Sequence, residues 1–329
     1  MIEMTRRALI GLVLVATLLL TAVGLGAAAV VYDQRSRVTA DCDERFGDNS
    51  PARWTVRGIE SAVPGFDGAP YYVADYREVR IRSRDPAVEL RAWWLPPRDG
   101  VDAPSIIVVH GFGTCVRDPV VLSPAGMLHR LGYGVLLVDL RDHGDSTIED
   151  GRTAAGAEEY RDVLGAVDWL VAEGAEPGRI GVYGTSMGAA TAIIAAERDS
   201  RIAAVWAESS YSDVAGIIAD GLEDAGLPRL LAPIAIVVAW IVAGDDIASP
   251  SMLGDMPDLR GRHLYIVHGS LDGLIAPSHA DALADAARRA GVQTERWMVA
   301  DAGHVDAMLV LPEEYERRLG RFFGAALGR

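Results

Sequence analysis

Residues 179–188 read RIGVYGTSMG, a run of strand-forming residues that ends in a Gly-Thr-Ser-Met-Gly turn and leads into the small-residue segment AATAIIAAER. A strand, a sharp turn and a helix in that order constrain the chain severely, because the two elements must pack almost backbone to backbone. Gly184 and Gly188 permit this approach, since neither carries a Cβ, and the pinched turn pushes the Ser186 hydroxyl outward. Ser186 is therefore the candidate nucleophile. The pentapeptide alone is weak evidence; its weight comes from what surrounds it.

Around it, apolar runs of strand length (SIIVVH, GVLLVDL, RIGVYG, IAAVWAE, HLYIVHG and ERWMVA) alternate with helical segments. Strands that are apolar throughout need cover on both faces, so the pattern predicts an α/β fold with a mainly parallel sheet between two helical layers. Before them, REVRIRSRD and AVELRAWWLPP alternate apolar and polar residues about a turn, which predicts an antiparallel hairpin opening the sheet. Residues 209–258 break the rhythm with no clear strand. They are expected to form a helical cap over the site, with the uncharged stretch 230–244, broken by Pro233, lining an acyl pocket through residues such as Trp240 and Ile241. That stretch is too short to span a bilayer, and an interfacial helix would want cationic flanks where Asp245 and Asp246 stand.

A serine hydroxyl needs a base to take its proton and a third group to orient that base. HLYIVHGSLDGLIAP is a strand whose following loop carries Asp272, and ERWMVADAGHVDAM is a strand whose following loop carries His304. The order Ser186, Asp272, His304 is that of one particular open α/β fold, with each residue at a strand's carboxyl end. His279 is the other histidine after Asp272, but it falls in the first turn of a predicted helix and reads as solvated. Glu208, at the end of IAAVWAE, is the rival acid; Asp301 and Asp306 lie too near His304 in sequence to reach it from a separate loop. Two amides would stabilise an oxyanion: that of Met187, at a helix N-terminus, and that of Phe112, in the His110-Gly111-Phe112-Gly113 loop.

Taken together, HGFG (110–113), DLRDHGDS (139–146), GTSMG (184–188), HGSLD (268–272) and AGH (302–304) resemble the α/β-hydrolase superfamily in order and spacing, from about residue 76 to residue 329. Within it, the nearest likeness is to the membrane-anchored, Bem46-like serine hydrolases. The resemblance implies Ser186 as nucleophile, Asp272 as acid, His304 as base, and Phe112 with Met187 as amide donors. It implies hydrolysis of an ester, thioester or amide through an acyl-enzyme, on a small-molecule or lipid-like acyl substrate, with no cofactor and no metal. The RDHGDS segment departs from the family's R-G-H-G-x-S by placing Asp142 where a glycine is usual, which implies a less tightly turned loop; His143 within it reads as structural. The alternative is a catalytically silent hydrolase-fold scaffold that binds a partner at the membrane.

All 31 basic residues are arginine, so Schiff-base and P-loop lysine chemistry is excluded. A formal charge of −15 argues against a nucleic-acid partner, because phosphate binding relies on cationic side chains. Residues 8–31 form an uncharged apolar run of 24 residues, enough to cross a bilayer. Residues 1–32 are thus expected to be a membrane anchor, with the domain outside the cytoplasm; Ala27-Ala28-Ala29 also suits cleavage of an export signal, which would release a secreted protein. Residues 33–75 read as a polar stalk that partly packs on a hydrolase domain of residues 76–329. The two cysteines, Cys42 in that stalk and Cys115 just past the HGFG loop, are expected to pair in an oxidising compartment.

Overall fold

A computed structural model of the chain describes residues 41–329 apart from 57–65, 99, 101, 225, 245 and 250, together with residues 9–12, 14, 15, 25, 26, 29, 32, 33 and 35–38. The expected anchor over residues 1–32 lies largely outside the described residues. Among those described, no helix is long and apolar enough to cross a membrane.

The apolar runs become the strands β3 (Ser105–Val109), β4 (Gly134–Val138), β5 (Ile180–Thr185), β6 (Ile202–Glu208), β7 (His263–Gly269) and β8 (Gln293–Val299), preceded by the hairpin β1 (Arg77–Arg82) and β2 (Glu89–Leu95). Their spatial order is β1-β2-β4-β3-β5-β6-β7-β8. β2 runs antiparallel to both β1 and β4, and every pair from β4 to β8 is parallel. α1 (Cys42–Phe46) precedes the sheet; parallel neighbours require crossovers, which α2 (Pro119–Arg130), α3 (Tyr160–Ala172), α4 (Met187–Arg198), α5 (Val214–Asp224), α6 (Ala232–Ala243), α7 (Met252–Asp255) and α8 (Ser278–Ala290) provide, and α9 (Ala307–Val310) and α10 (Pro312–Leu327) follow β8.

The two-residue period of the strands sorts side chains into two cores. Ile107, Val109, Val182 and Ile266 face one core, under α3, α4 and α8, while Ile106, Val108, Tyr183 and Val267 face the other, under α2 and α10. The alanine-rich face of α4 lets it lie close against the sheet centre, and Ala189, Ala190, Ala192, Ala195 and Ala196 are all buried. The segment expected to be a stalk is more closely packed than its polarity suggests. Trp54, Tyr71 and Val73 join the second core, where the apolar area that each removes from water favours packing of this segment on the domain.

Residues 209–258 contain no strand among their described residues. In this insertion α5 and α6 pack on each other, and a cavity of about 190 Å³ lies beneath it, lined by Ala155, Ile194, Val214, Ile247 and Met252 among others. None of the site residues Ser186, Asp272 or His304 lines that cavity. Trp240 and Ile241, expected to line an acyl pocket, are instead 62% and 66% exposed. An uncharged helix has no polar face to fix its rotation, so sequence periodicity could not show which side turns outward.

One buried carboxyl group stands apart from this packing. Glu197, near the end of α4, is buried, and among the described residues neither carboxyl oxygen has a hydrogen-bond partner. Burial, reinforced by the nearby Asp255 carboxylate, pushes its pKa up to about 9. The unfolded chain would release this proton near the ordinary carboxylate value, so between there and about pH 9 the folded state holds the extra proton and stability falls as pH rises, by at most about 1.4 kcal/mol per unit. Glu197→Gln is expected to flatten that slope and to raise Tm at pH 8, checked by thermal melts from pH 5 to 9; an unchanged slope would show that Glu197 is solvated.

Candidate active site

The β5–α4 turn holds Ser186 at φ 52° and ψ −122°, in the left-handed half of backbone space where a non-glycine residue is strained. The surroundings enforce it. A Cβ on Gly184 would strike the Gly188 carbonyl, and one on Gly188 would strike the carbonyls of Val109 and His110. The Ser186 amide donates to the Glu208 carbonyl at 2.8 Å, tying the turn to the end of β6.

His304, five residues past β8, and Asp272, three past β7, reach this serine from separate loops. His304 Nε2 lies 3.0 Å from Ser186 Oγ, and His304 Nδ1 lies 2.9 Å from Asp272 Oδ2. The carboxylate only accepts, which assigns the proton to Nδ1 and leaves Nε2 to accept from the serine hydroxyl. Burial of Asp272 opposes its charge. Hydrogen bonds from His268 and His304, the electrostatic influence of the adjacent His304 and the Ile275 amide outweigh that cost, and they hold its pKa well below the usual carboxylate range. Oδ1 is further fixed by the amides of Leu274 and Ile275, at 3.0 and 2.8 Å.

The profile of the S15 peptidase family, described as X-Pro dipeptidyl-peptidase, matches residues 67–225. The esterase Pf2001 of Pyrococcus furiosus superposes with a TM-score of 0.63 at 26% identity, covering 80% of this chain and 97% of that one. An α/β-hydrolase, GrgF, from Penicillium sp. sh18 superposes with a TM-score of 0.60 at 17% identity, over 78% of this chain and all of that one. In sequence, an uncharacterised 31.7 kDa protein from the traX-finO intergenic region of Escherichia coli is 29% identical over 119 residues, which are 36% of this chain and 41% of that protein. The match thus spans about two fifths of that curated relative's length. The chain has the α/β-hydrolase fold.

Two buried histidines fix the HGFG loop. Leu140 N donates to His110 Nε2 at 3.0 Å, and His110 Nδ1 donates to the Gly111 carbonyl at 2.7 Å. Complete burial, with the nearby His143, lowers the His110 pKa to about 3, so the ring stays neutral in this role. His143 accepts from Gly113 N at 3.3 Å through Nε2 and contacts the Arg141 carbonyl through Nδ1 at 2.8 Å. The loop places Gly111 against Ser186, where a Cβ would come within 3.2 Å of the serine Cβ; Phe112 follows Gly111 in that loop, and Met187, first residue of α4, follows the serine.

Three expectations change. Asp142 does not loosen its loop: it adopts φ 61°, its amide donates to the Thr147 carbonyl at 2.9 Å, and its Oδ1 collects the amides of Glu149, Asp150 and Gly151. Asp tolerates the left-handed region better than most residues, which is how it replaces a glycine here. His279 is buried rather than solvated, with Nδ1 2.9 Å from Ser212 Oγ and Nε2 3.0 Å from Asp220, so that it fastens α8 to α5. Glu208 does not contact His304 as an acid partner. Its buried carboxylate accepts from Ala307 N at 3.1 Å and from Tyr315 and Tyr183, holding the loop that carries His304. Burial, only partly offset by the Tyr315, Ala307 and Tyr183 donors and by the nearby His304, pushes its pKa up to about 7. Proximity in sequence to the strand end could not separate these roles.

Cys42 and Cys115 form a disulfide with a Cα–Cα distance of 6.3 Å. It ties α1 to the HGFG loop, where Arg45 also donates to the Gly113 carbonyl at 3.3 Å and Arg117 pairs with Asp43. With the partners 73 positions apart in sequence, restricting the unfolded chain is worth about 4 kcal/mol. Cys42→Ser is therefore expected to lower Tm markedly under non-reducing conditions. Intact mass after denaturing the unreduced wild-type chain with iodoacetamide checks the bond; two added groups would mean free thiols.

Proposed function

We propose that this chain is a serine hydrolase that cleaves a carboxylic ester through an acyl-enzyme, with Ser186 as nucleophile, His304 as general base and Asp272 as its orienting acid. The observation that carries this reading is the unbroken hydrogen-bonded path from Asp272 through His304 to a serine held on a strained elbow. Ser186 Oγ attacks the carbonyl carbon as His304 Nε2 takes its proton, and Asp272 stabilises the resulting imidazolium through Nδ1–H. The tetrahedral oxyanion is received by the amides of Phe112 and Met187, the latter reinforced by the α4 dipole. His304 then returns the proton to the departing alkoxide. A water activated by the same imidazole releases the acid and restores Ser186.

An ester is favoured over an amide because an alkoxide leaves more readily than an amine. The 26% identity to an esterase over nearly its whole length supports that class, and a thioester has the same requirements. The S15 match is the observation that favours an amide, although it stops before Asp272 and His304. The apolar run 8–31 and the disulfide support a membrane-anchored enzyme whose domain lies in an oxidising compartment.

Ser186→Ala is expected to abolish fluorophosphonate labelling, read by intact mass, and to lower p-nitrophenyl ester turnover by at least about 10³-fold. Asp272→Asn should fold and lose about 10⁴-fold in kcat through the wrong imidazole tautomer. Retained burst acylation in Ser186→Ala would defeat the assignment, and faster cleavage of an X-Pro p-nitroanilide than of any ester would shift it to an amide.

Glu208→Ala should lower kcat by about 10²-fold with KM little changed, since the loss acts by displacing His304. Glu208→Gln should recover part of the rate, because its carbonyl still accepts from Ala307. If Glu208→Gln proves more damaging than Asp272→Asn, the acid is Glu208.

A further inference from the structure

The chain just after the apolar run, the site and an apolar helix with one exposed face all lie at the edge of the sheet where β3 to β8 end. Immediately after residue 31, the chain lands on the loop that follows β4. Asp33 pairs with Arg152, Val38 N donates to the Gly151 carbonyl at 2.9 Å, and Thr153 N donates to the Ser36 carbonyl at 2.8 Å. Arg152 also lines a cavity of about 250 Å³ whose wall includes Arg141, Asp142 and, at the carboxyl end of α6, Gly244. The point where a bilayer-length segment reaches the domain is therefore next to α6.

α6 reads APIAIVVAWIVA, without one charged or strongly polar side chain. It buries Ala232, Val238 and Ala239 against the domain. Ile234, Val237, Trp240 and Ile241 stay 45%, 51%, 62% and 66% exposed, and Leu230, just before the helix, 74%. Isolated exposed apolar residues are ordinary, but a whole helical face of them marks a surface that is covered in use. Twelve residues rise about 18 Å, too little to cross a hydrocarbon core and enough to lie within its interface, where tryptophan is favoured. Arg229, at the start of this segment, is held by Asp220 and Glu223, and Asp246 follows it, so the flanks lack the cations expected above of an interfacial helix; those cations serve anionic headgroups, and a bilayer without net charge does not call for them. The site opens on the same edge, where Phe112, Leu271 and Leu274 are 43%, 65% and 62% exposed.

We propose that the exposed face of α6 lies in the interface of a zwitterionic lipid bilayer, turning the mouth at Ser186 toward the membrane, so that the substrate is an acyl ester resident in that membrane. The lipid contact rests on the anchoring of residues 8–31, and the substrate class rests on the hydrolase reading above.

The full chain, reconstituted in dioleoylphosphatidylcholine vesicles, tests both parts. The fluorescence of Trp240, taken as the difference between wild type and Trp240→Phe, is expected to fall about twofold when the lipid carries bromine at acyl carbons 6 and 7. Ile234→Ser combined with Val237→Ser is expected to slow cleavage of a vesicle-borne acyl ester about tenfold while leaving a soluble short-chain ester unchanged. An unquenched Trp240 would overturn the lipid contact, and cross-linking of Trp240→Cys between chains would then place a second copy on that face. Equal losses on both esters would overturn the substrate class. Quenching needs no turnover, so a quenched Trp240 in a chain that cleaves neither ester would defeat the hydrolase reading and leave the lipid contact standing.

Discussion

Three backbone segments meet at Ser186: the end of β3 at Val109 and His110, the β5–α4 turn, and the end of β6 at Glu208. They touch through atoms that no side chain separates, since Gly188 faces the carbonyls of Val109 and His110 and Gly184 faces Gly188 itself. The positive φ of Ser186 costs on the order of 1–3 kcal/mol, and the packed α4 and the Ser186 N to Glu208 O bond sustain it. The placing of Gly111, and hence of Phe112, beside the serine also follows from this contact. Loosening it would move the hydroxyl and the Gly111 loop together.

Around that contact, the imidazoles of the site act mostly as wedges. His110 and His143 brace the HGFG loop, and His268 touches Asp272 Oδ2 at 3.3 Å while contacting the Ile275 carbonyl. Burial lowers the pKa of both His110 and His143, which keeps each ring neutral, with one nitrogen to donate and one to accept. Glu208 works the same way from the opposite wall, joining the serine turn through its carbonyl to the His304 loop through its carboxylate. The elbow and the loop that carries His304 are therefore mechanically linked through one residue.

The segment before β1 and the insertion after β6 both attach at the strands' carboxyl ends. The first is bound there by the disulfide to Cys115 and by the Asp33–Arg152 pair, and the second by α5, which His279 and Ser212 hold to α8. An open parallel sheet leaves its site at that edge, so whatever is added there shapes access to the site.

The sequence by itself determined the fold class, because uninterrupted apolar strand runs alternating with helices have few other solutions, and it determined which strand ends carry Ser186, Asp272 and His304. It also held the elbow, since Gly184 and Gly188 are demanded locally by the close approach. Distances between the serine and side chains 86 and 118 residues further along the chain are set only by the order and twist of the sheet, so the 3.0 and 2.9 Å contacts, and the separate contacts of Asp272 and Glu208, were decided by tertiary structure. The same holds for His279, whose helical position reads as solvated until α5 packs across it, and for Trp54, whose polar neighbours conceal a buried ring. The outward turn of Trp240 and Ile241 belongs to this second group, because a helix that is apolar all round carries no periodicity and only its neighbours decide which face is left uncovered.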